Sequence, residues 1–273
     1  MNRIASATSL WIEGRPADAA TLSALQTNYG HLSTMQVRGA AVRGFERHLA
    51  RLQTANVELF GSALPAARIR RELASALHAA SVDDATLRVS VGALDGAAVE
   101  RGDAAAVTLL VALSPPRAAP TTPQRLQSWR HQRPLAHLKH LATLPLLHAR
   151  RSARAAGFDD ALLVDDAGGV LEGALWNIGF INAEGGIVWP DGDALPGVTR
   201  GLLYAGLEAG HAVQRITRIE LAACTKFQSA FACNSSGLWP LASIDGRAFA
   251  GEPVVPVVLQ RILAGLSWDP VAA

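Results

Sequence analysis

Four short segments carry side chains that could do chemistry: GFERHLARL around Arg51, HLKHL around Lys139, VLEGALWNIGF around Glu172, and LPGVTRG followed later by CNSSGLWPL. Arg51 can pair with an anion, Lys139 offers an amine, and Glu172 offers a carboxylate. The Pro-Gly step ahead of Val198 and Thr199, and the polar turn of Asn234, Ser235, Ser236 and Gly237, can each aim main-chain N–H groups at anionic oxygens. Taken singly, each segment also has a plain structural reading: a lysine stem lying along apolar surface, a solvated glutamate, a helix-surface charge, a Ser-rich turn. Several other chemistries lose their main support, because the chain contains no GxxxxGK[ST], no GxGxxG after a strand, no HExxH and no GxSxG. His131, His137, His140 and His148 stand near one another without carboxylates or cysteines at ligand spacing, so no metal site is expected. Cys224 and Cys233 match neither a CxxC nor a zinc-knuckle pattern and are read as reduced and buried.

These groups need elements to hold them. Phe45, Leu49 and Leu52 recur at helical spacing in a helix predicted from Gly44 to about Phe60, and a second is predicted from about Leu64 to Ala80. In TLRVSVG, Leu87, Val89 and Val91 alternate with polar residues, the pattern of a half-buried strand, and VTLLVAL from Val107 reads as another strand. Pro115, Pro116, Pro120 and Pro123 then forbid both a helix interior and a central strand. Residues 115–124 are therefore expected to link an N-terminal α/β domain, 1–114, to a C-terminal domain, 125–273. The second domain is expected to hold a helix from about Leu141 to Ala156 closed by Gly157, short strands at 161–166, 176–181 and 186–189, and a helix at 199–209. The predicted fold class is α/β (α+β) in two domains.

Composition narrows the function classes. The 273 residues suffice for two domains, and 49% hydrophobic with 18% charged residues excludes a disordered chain. A net charge of +2 provides no basic surface for nucleic acid. No apolar run approaches the ~18–20 residues that cross a bilayer, so no membrane partner is expected. The N-terminal MNRIASATSLWIEGRP has no signal-peptide core, and the expected compartment is the cytoplasm.

In this order, the segments resemble the class IV aminotransferase family, the fold-type IV pyridoxal-phosphate enzymes that include branched-chain aminotransferases, D-amino-acid transaminases and aminodeoxychorismate lyases. The resemblance runs from NYGHLSTMQV (Asn28 to Val37) through HLARL, the lysine segment, the stretch from Glu172 through Asn177 to Phe180, the LPG-x-TR turn and the closing PLASIDG. It implies pyridoxal 5'-phosphate as cofactor, held in the interdomain cleft of a homodimer, with small-molecule amino acids and keto acids as substrates.

The resemblance also implies roles. Lys139 matches the lysine that forms an aldimine with the coenzyme and moves the substrate proton. Glu172 matches the carboxylate that keeps the pyridine nitrogen protonated. Arg51, Val198 and Thr199, joined by Asn234 and Ser235, match the phosphate ligands, with Gly197 allowing the tight start of the helix. Tyr29, Ser33, Thr34, Ser235 and Ser236 fall where relatives line the substrate side. Asn177 and Phe180 match framework positions, and Arg200 is assigned to structure. The chain departs from the family after TLRVSVG: an Arg-Gly-rich loop that helps relatives bind substrate carboxylates is here GALDGAAVERGD, with Arg101 as its one candidate. The expected activity is amino transfer between an amino acid and a 2-keto acid. The first alternative is an aminodeoxychorismate lyase releasing pyruvate and 4-aminobenzoate, which the Lys139-His140-Leu141 context resembles. The second is a coenzyme-binding homologue without turnover, against which the joint presence of Lys139 and Glu172 speaks.

Overall fold

A computed structural model describes residues 8–272 and divides them into two compact units. The first unit begins with β1 (Ser9–Ile12), β2 (Arg15–Pro16) and α1 (Ala19–Ala24), followed by β3 (Gly30–Arg38) and β4 (Ala41–Arg43). Then come α2 (Phe45–Phe60), α3 (Ala66–Ala80), β5 (Ala85–Ala93), α4 (Gly96–Arg101) and β6 (Val107–Ser114). β3 pairs with β5 along most of its length, antiparallel, with Ser33 opposite Val89 and Thr34 opposite Arg88. Strand alternation sends His31, Ser33, Met35 and Val37 to one face. Met35 and Val37 meet Leu49 and Leu52 of α2 and Ile69 and Leu73 of α3 in the unit's core. α2 lies on that face because Phe45, His48, Leu49, Leu52, Ala55, Asn56 and Phe60 form one buried stripe at helical spacing.

The second unit contains β7 (Gln124–Arg130), α5 (Leu144–Ala155), β8 (Asp160–Val164), β9 (Val170–Gly173), β10 (Asn177–Ile181) and β11 (Ile187–Pro190). It continues with α6 (Val198–Ala209), β12 (Gln214–Thr217), β13 (Ser229–Asn234), β14 (Gly237–Ile244), β15 (Arg247–Ala248) and α7 (Val257–Gly265). Its sheet runs β12-β11-β10-β13-β14-β7-β8-β9, with β15 added to β14. The sheet curls back on itself: Val170 at the β9 edge donates to the Ile219 carbonyl, 2.8 Å away, just beyond the β12 edge. Strands β8 to β11 are buried throughout, and Phe180, Ala230, Ala232 and Leu241 fill the concave core.

Two stretches late in the sequence belong to the first unit. Leu138–Ala142 lies along β3, and the chain ends in β16 (Trp268–Pro270), which pairs with β4 to complete a seven-stranded sheet. The helix expected from Leu141 therefore starts later, at Leu144. Leu141 donates to the Gly30 carbonyl at 2.8 Å, a strand-like contact incompatible with helix, and Pro145 fits only a first helical turn. The strand around TLRVSVG is also more covered than its alternation predicts. Leu87, Val89 and Val91 are buried as expected, but Thr86 and Ser90 are buried too, and only Arg88 is exposed within β5. Thr86 satisfies its hydroxyl there by donating to the Pro115 carbonyl at 3.0 Å. Cys224 and Cys233 are free and buried, and burial pushes both thiols up to about 12. No helix among the described residues is long and apolar enough to cross a membrane.

Candidate active site

In the first unit the chemistry gathers where α2 meets β3. Lys139 is fixed there by backbone pairing. Its carbonyl accepts from Leu32 N at 2.8 Å, Leu141 donates to Gly30 on the other side, and His31 and His140 form an antiparallel bridge. Gly30 makes this close approach possible, because a Cβ there would overlap the Val91 carbonyl oxygen and stand 2.8 Å from the Leu141 side chain.

Beside this segment, α2 presents His48 and Arg51, three residues apart and so on one face. Arg51 Nη2 donates to Ser33 Oγ at 2.6 Å and to His48 Nδ1 at 3.3 Å, and Ser33 Oγ lies 2.8 Å from that same nitrogen. Arginine only donates, so the tautomer in which Nδ1 accepts from Arg51 is the one that carries its proton on Nε2 and takes the Ser33 hydroxyl hydrogen. The environment agrees. Burial, then the charges of Arg51 and Lys139, hold His48 well below its usual value. Burial alone lowers the Arg51 guanidinium to about 10, with no carboxylate acting on it, and its enclosed Nε has no partner among the described residues. Among the described residues this largely enclosed cation is held by neutral groups alone, an arrangement suited to an anionic ligand.

In the second unit the centre is Glu172, on β9. Arg133 Nε donates to its Oε1 at 2.9 Å, and both side chains are only 6% exposed. Asn177 Nδ2 approaches Glu172 Oε2 at 3.4 Å and donates to the Leu195 carbonyl at 2.9 Å, which ties the carboxylate to the turn ahead of α6. Gly197 precedes that helix and has no side chain to cap it, and the first-turn N–H groups of Val198 and Thr199 make no hydrogen bond among the described residues. A Cβ at Gly197 would overlap Asn177 Oδ1, so the turn closes this tightly only around glycine. At the end of β13, Asn234 Oδ1 accepts from Ser236 N at 2.8 Å and its Nδ2 donates to Leu175 O at 3.3 Å. The Asn234 side chain thus builds the turn, while the hydroxyls of Ser235 and Ser236 make no hydrogen bond among the described residues.

The residues singled out in the sequence therefore fall into two sets. Lys139 and Arg51 come together in the first unit, and Glu172, Val198 and Thr199 converge through Asn177 in the second. Ser33, expected on the substrate side, accepts the Arg51 hydrogen bond at 2.6 Å. Thr34 points to the opposite face of β3. Tyr29 is 43% exposed and donates its hydroxyl to Leu59 O at 3.1 Å, two helical turns and roughly 12 Å of helix rise beyond Arg51. Arg200 stacks over Trp189 at 5.5 Å and also interacts electrostatically with Glu172. Two members escaped the sequence reading, His48 and Arg133. His48 sits on the buried stripe three residues ahead of Arg51, a usable signal. Arg133 stands in the irregular QRPLAHL stretch, where no periodicity announces burial. Among the described residues no group of His, Cys, Asp and Glu could hold a metal ion.

The family described as amino-transferase class IV matches residues 30–244 of this chain. A hypothetical aminotransferase from Mycobacterium tuberculosis in its PLP-bound form is 20% identical, with a TM-score of 0.76 over 94% of this chain and 98% of its own. The branched-chain amino acid aminotransferase of Escherichia coli is 18% identical, with a TM-score of 0.75 over 93% of this chain and 92% of its own. The 4-amino-4-deoxychorismate lyase from Pseudomonas aeruginosa is 28% identical, with a TM-score of 0.73 over 93% of this chain and 97% of its own. No curated protein matches the sequence significantly.

Proposed function

The chain belongs to the class IV aminotransferase family, and from that premise we propose that it is a pyridoxal-phosphate-dependent aminotransferase moving an amino group between an amino acid and a 2-keto acid. The coenzyme, when bound, supplies an aldehyde for an amine and a ring that takes up electron density from the substrate Cα. The residues fit such a group: a buried guanidinium with an unmet Nε, a helix start with open amides, and a buried, oriented carboxylate. With the coenzyme bound, Lys139 Nζ would take the proton from the substrate Cα as a base and give it up again as an acid. Glu172, aimed by Arg133 and Asn177, holds a proton on the ring nitrogen. Arg51, the amides of Val198 and Thr199, and the turn of Asn234 and Ser235 would bind the phosphate, and Tyr29, Thr34, Ser235 and Ser236 would contact the substrate.

The observation that supports this reading best is Arg51, a cation enclosed by neutral partners beside a backbone-anchored lysine. Its test is the visible spectrum of the purified protein with pyridoxal phosphate, before and after L- and D-amino acids. A coenzyme band absent in Lys139→Ala and converted by particular donors supports amino transfer. A protein that shows no band sinks it. The second reading, 4-amino-4-deoxychorismate lyase, is favoured by the 28% identity to the Pseudomonas aeruginosa enzyme. Release of pyruvate without any keto-acid acceptor would select the lyase. Homodimerisation is part of the proposal, and sedimentation giving the 28.7 kDa of a single chain would remove it.

A further inference from the structure

We infer that Ser33 and His48 are positioning residues that hold Arg51 in place without neutralising it, and so set the protein's preference for a phosphorylated coenzyme. The inference rests on the reading of Arg51 as a phosphate ligand. An arginine that is to bind an anion must be oriented, and a carboxylate is the usual partner for that task. A carboxylate would also cancel the charge the phosphate needs.

This site solves the problem with two neutral acceptors. Ser33 Oγ takes one Arg51 hydrogen bond at 2.6 Å, His48 Nδ1 shares it at 3.3 Å, and the 2.8 Å Ser33–His48 contact fixes the hydroxyl so that its lone pair faces the guanidinium. With Nδ1 as the acceptor, the chain of donors runs one way, from Arg51 to Ser33 to His48. A protonated imidazole would reverse its last link and place a third cation beside Arg51 and Lys139. Burial of both Ser33 and His48 excludes water from competing for these bonds. Register produces the arrangement: Ser33 faces α2, and the buried stripe of that helix carries His48 one turn before Arg51.

The experiment titrates apo-protein with pyridoxal phosphate and with pyridoxal, following coenzyme absorbance. Ser33→Ala is expected to raise Kd for the phosphate form about tenfold, equivalent to ~1.4 kcal/mol, while leaving pyridoxal within about twofold. Ser33→Thr, which keeps the hydroxyl, restores the parent ratio. A merely structural role would weaken both ligands together, and that outcome overturns the inference. Ser33→Cys repeats the comparison if the alanine variant does not fold. Arg51→Gln separates positioning from binding. If it abolishes the preference and Ser33→Ala does not, the positioning role fails alone. If neither variant changes the ratio, the phosphate role of Arg51 fails and takes this inference with it.

Discussion

Removal of Arg133 would take from the buried Glu172 carboxylate the guanidinium that binds its Oε1, with Arg200 still acting on it, a loss of up to about 3–5 kcal/mol. For a chain of this size that corresponds to a fall of roughly 10 °C in Tm, so thermal melting of Arg133→Met against the parent checks it. A change of a degree or two would mean that water or another cation replaces the guanidinium. Lys139→Ala is expected to lower turnover at least ~100-fold, the lower range for loss of a general acid–base group, without a comparable change in Tm. The buried histidines make stability pH-dependent. Burial holds His31 at about 4 in the folded chain against an ordinary value of 6.5. Between those limits the unfolded chain takes up a proton that the folded chain refuses, so stability is complete above pH 6.5 and falls as the pH drops toward 4. The loss from His31 is on the order of 3 kcal/mol, and His48 adds to it in the same direction. Urea midpoints at about pH 7 and about pH 4.5 read this slope, which His31→Phe should flatten. An unchanged slope would place the acid sensitivity elsewhere.

At the scale of elements, the start of α6 depends on a contact made across the sheet. The Gly197 turn, the Asn177 side chain and Glu172 form one connected unit, so a methyl group at Gly197 must displace the carboxamide that occupies its space. Gly197→Ala is expected to weaken coenzyme binding about tenfold or more through misplacement of the Val198 and Thr199 amides, a magnitude in line with loss of well-oriented anion contacts. Equilibrium dialysis of the coenzyme measures it, and unaltered affinity would show that those amides do not hold the phosphate. α5 illustrates the same dependence from the other side. Its apolar spacing continues back to Leu141, yet β3 takes those residues for pairing, and helix begins only where Pro145 can occupy a first turn.

The whole molecule is threaded so that the first unit is completed twice by later sequence. Asp269 Oδ2 accepts from Phe45 N at 3.2 Å and caps α2, Trp268 stacks under Arg43 at 4.4 Å, and Val271 donates to Ala40 O at 3.0 Å. Truncation before Ser267 should therefore destabilise the unit that carries Arg51 and Lys139, by roughly 2 kcal/mol or about 5 °C in Tm, from the lost cap and edge strand. A truncated chain that melts like the parent would show the returning strand to be dispensable. The Phe45–Asp269 bond joins residues 224 apart in the sequence, so this unit is closed by chain far from its start.

Local pattern and motif order were enough to place α2, β5, β6, α6 and the class IV resemblance, because helical and strand periodicities, Gly-Pro turns and a lysine–glutamate–PGVT order are all written within short windows of sequence. The segments that carry Lys139, Glu172 and Arg51, the residues proposed for the site, stand out in the sequence for the same reason. The partners that orient them do not. Arg133 for Glu172 and Ser33 with His48 for Arg51 are polar residues whose value depends on being buried beside a particular charge, and burial is set by which elements pack together. Tertiary structure alone decided that Ser33 and Thr34, adjacent in sequence, serve opposite faces of β3, and that Lys139 is held by the unit that the chain had already left.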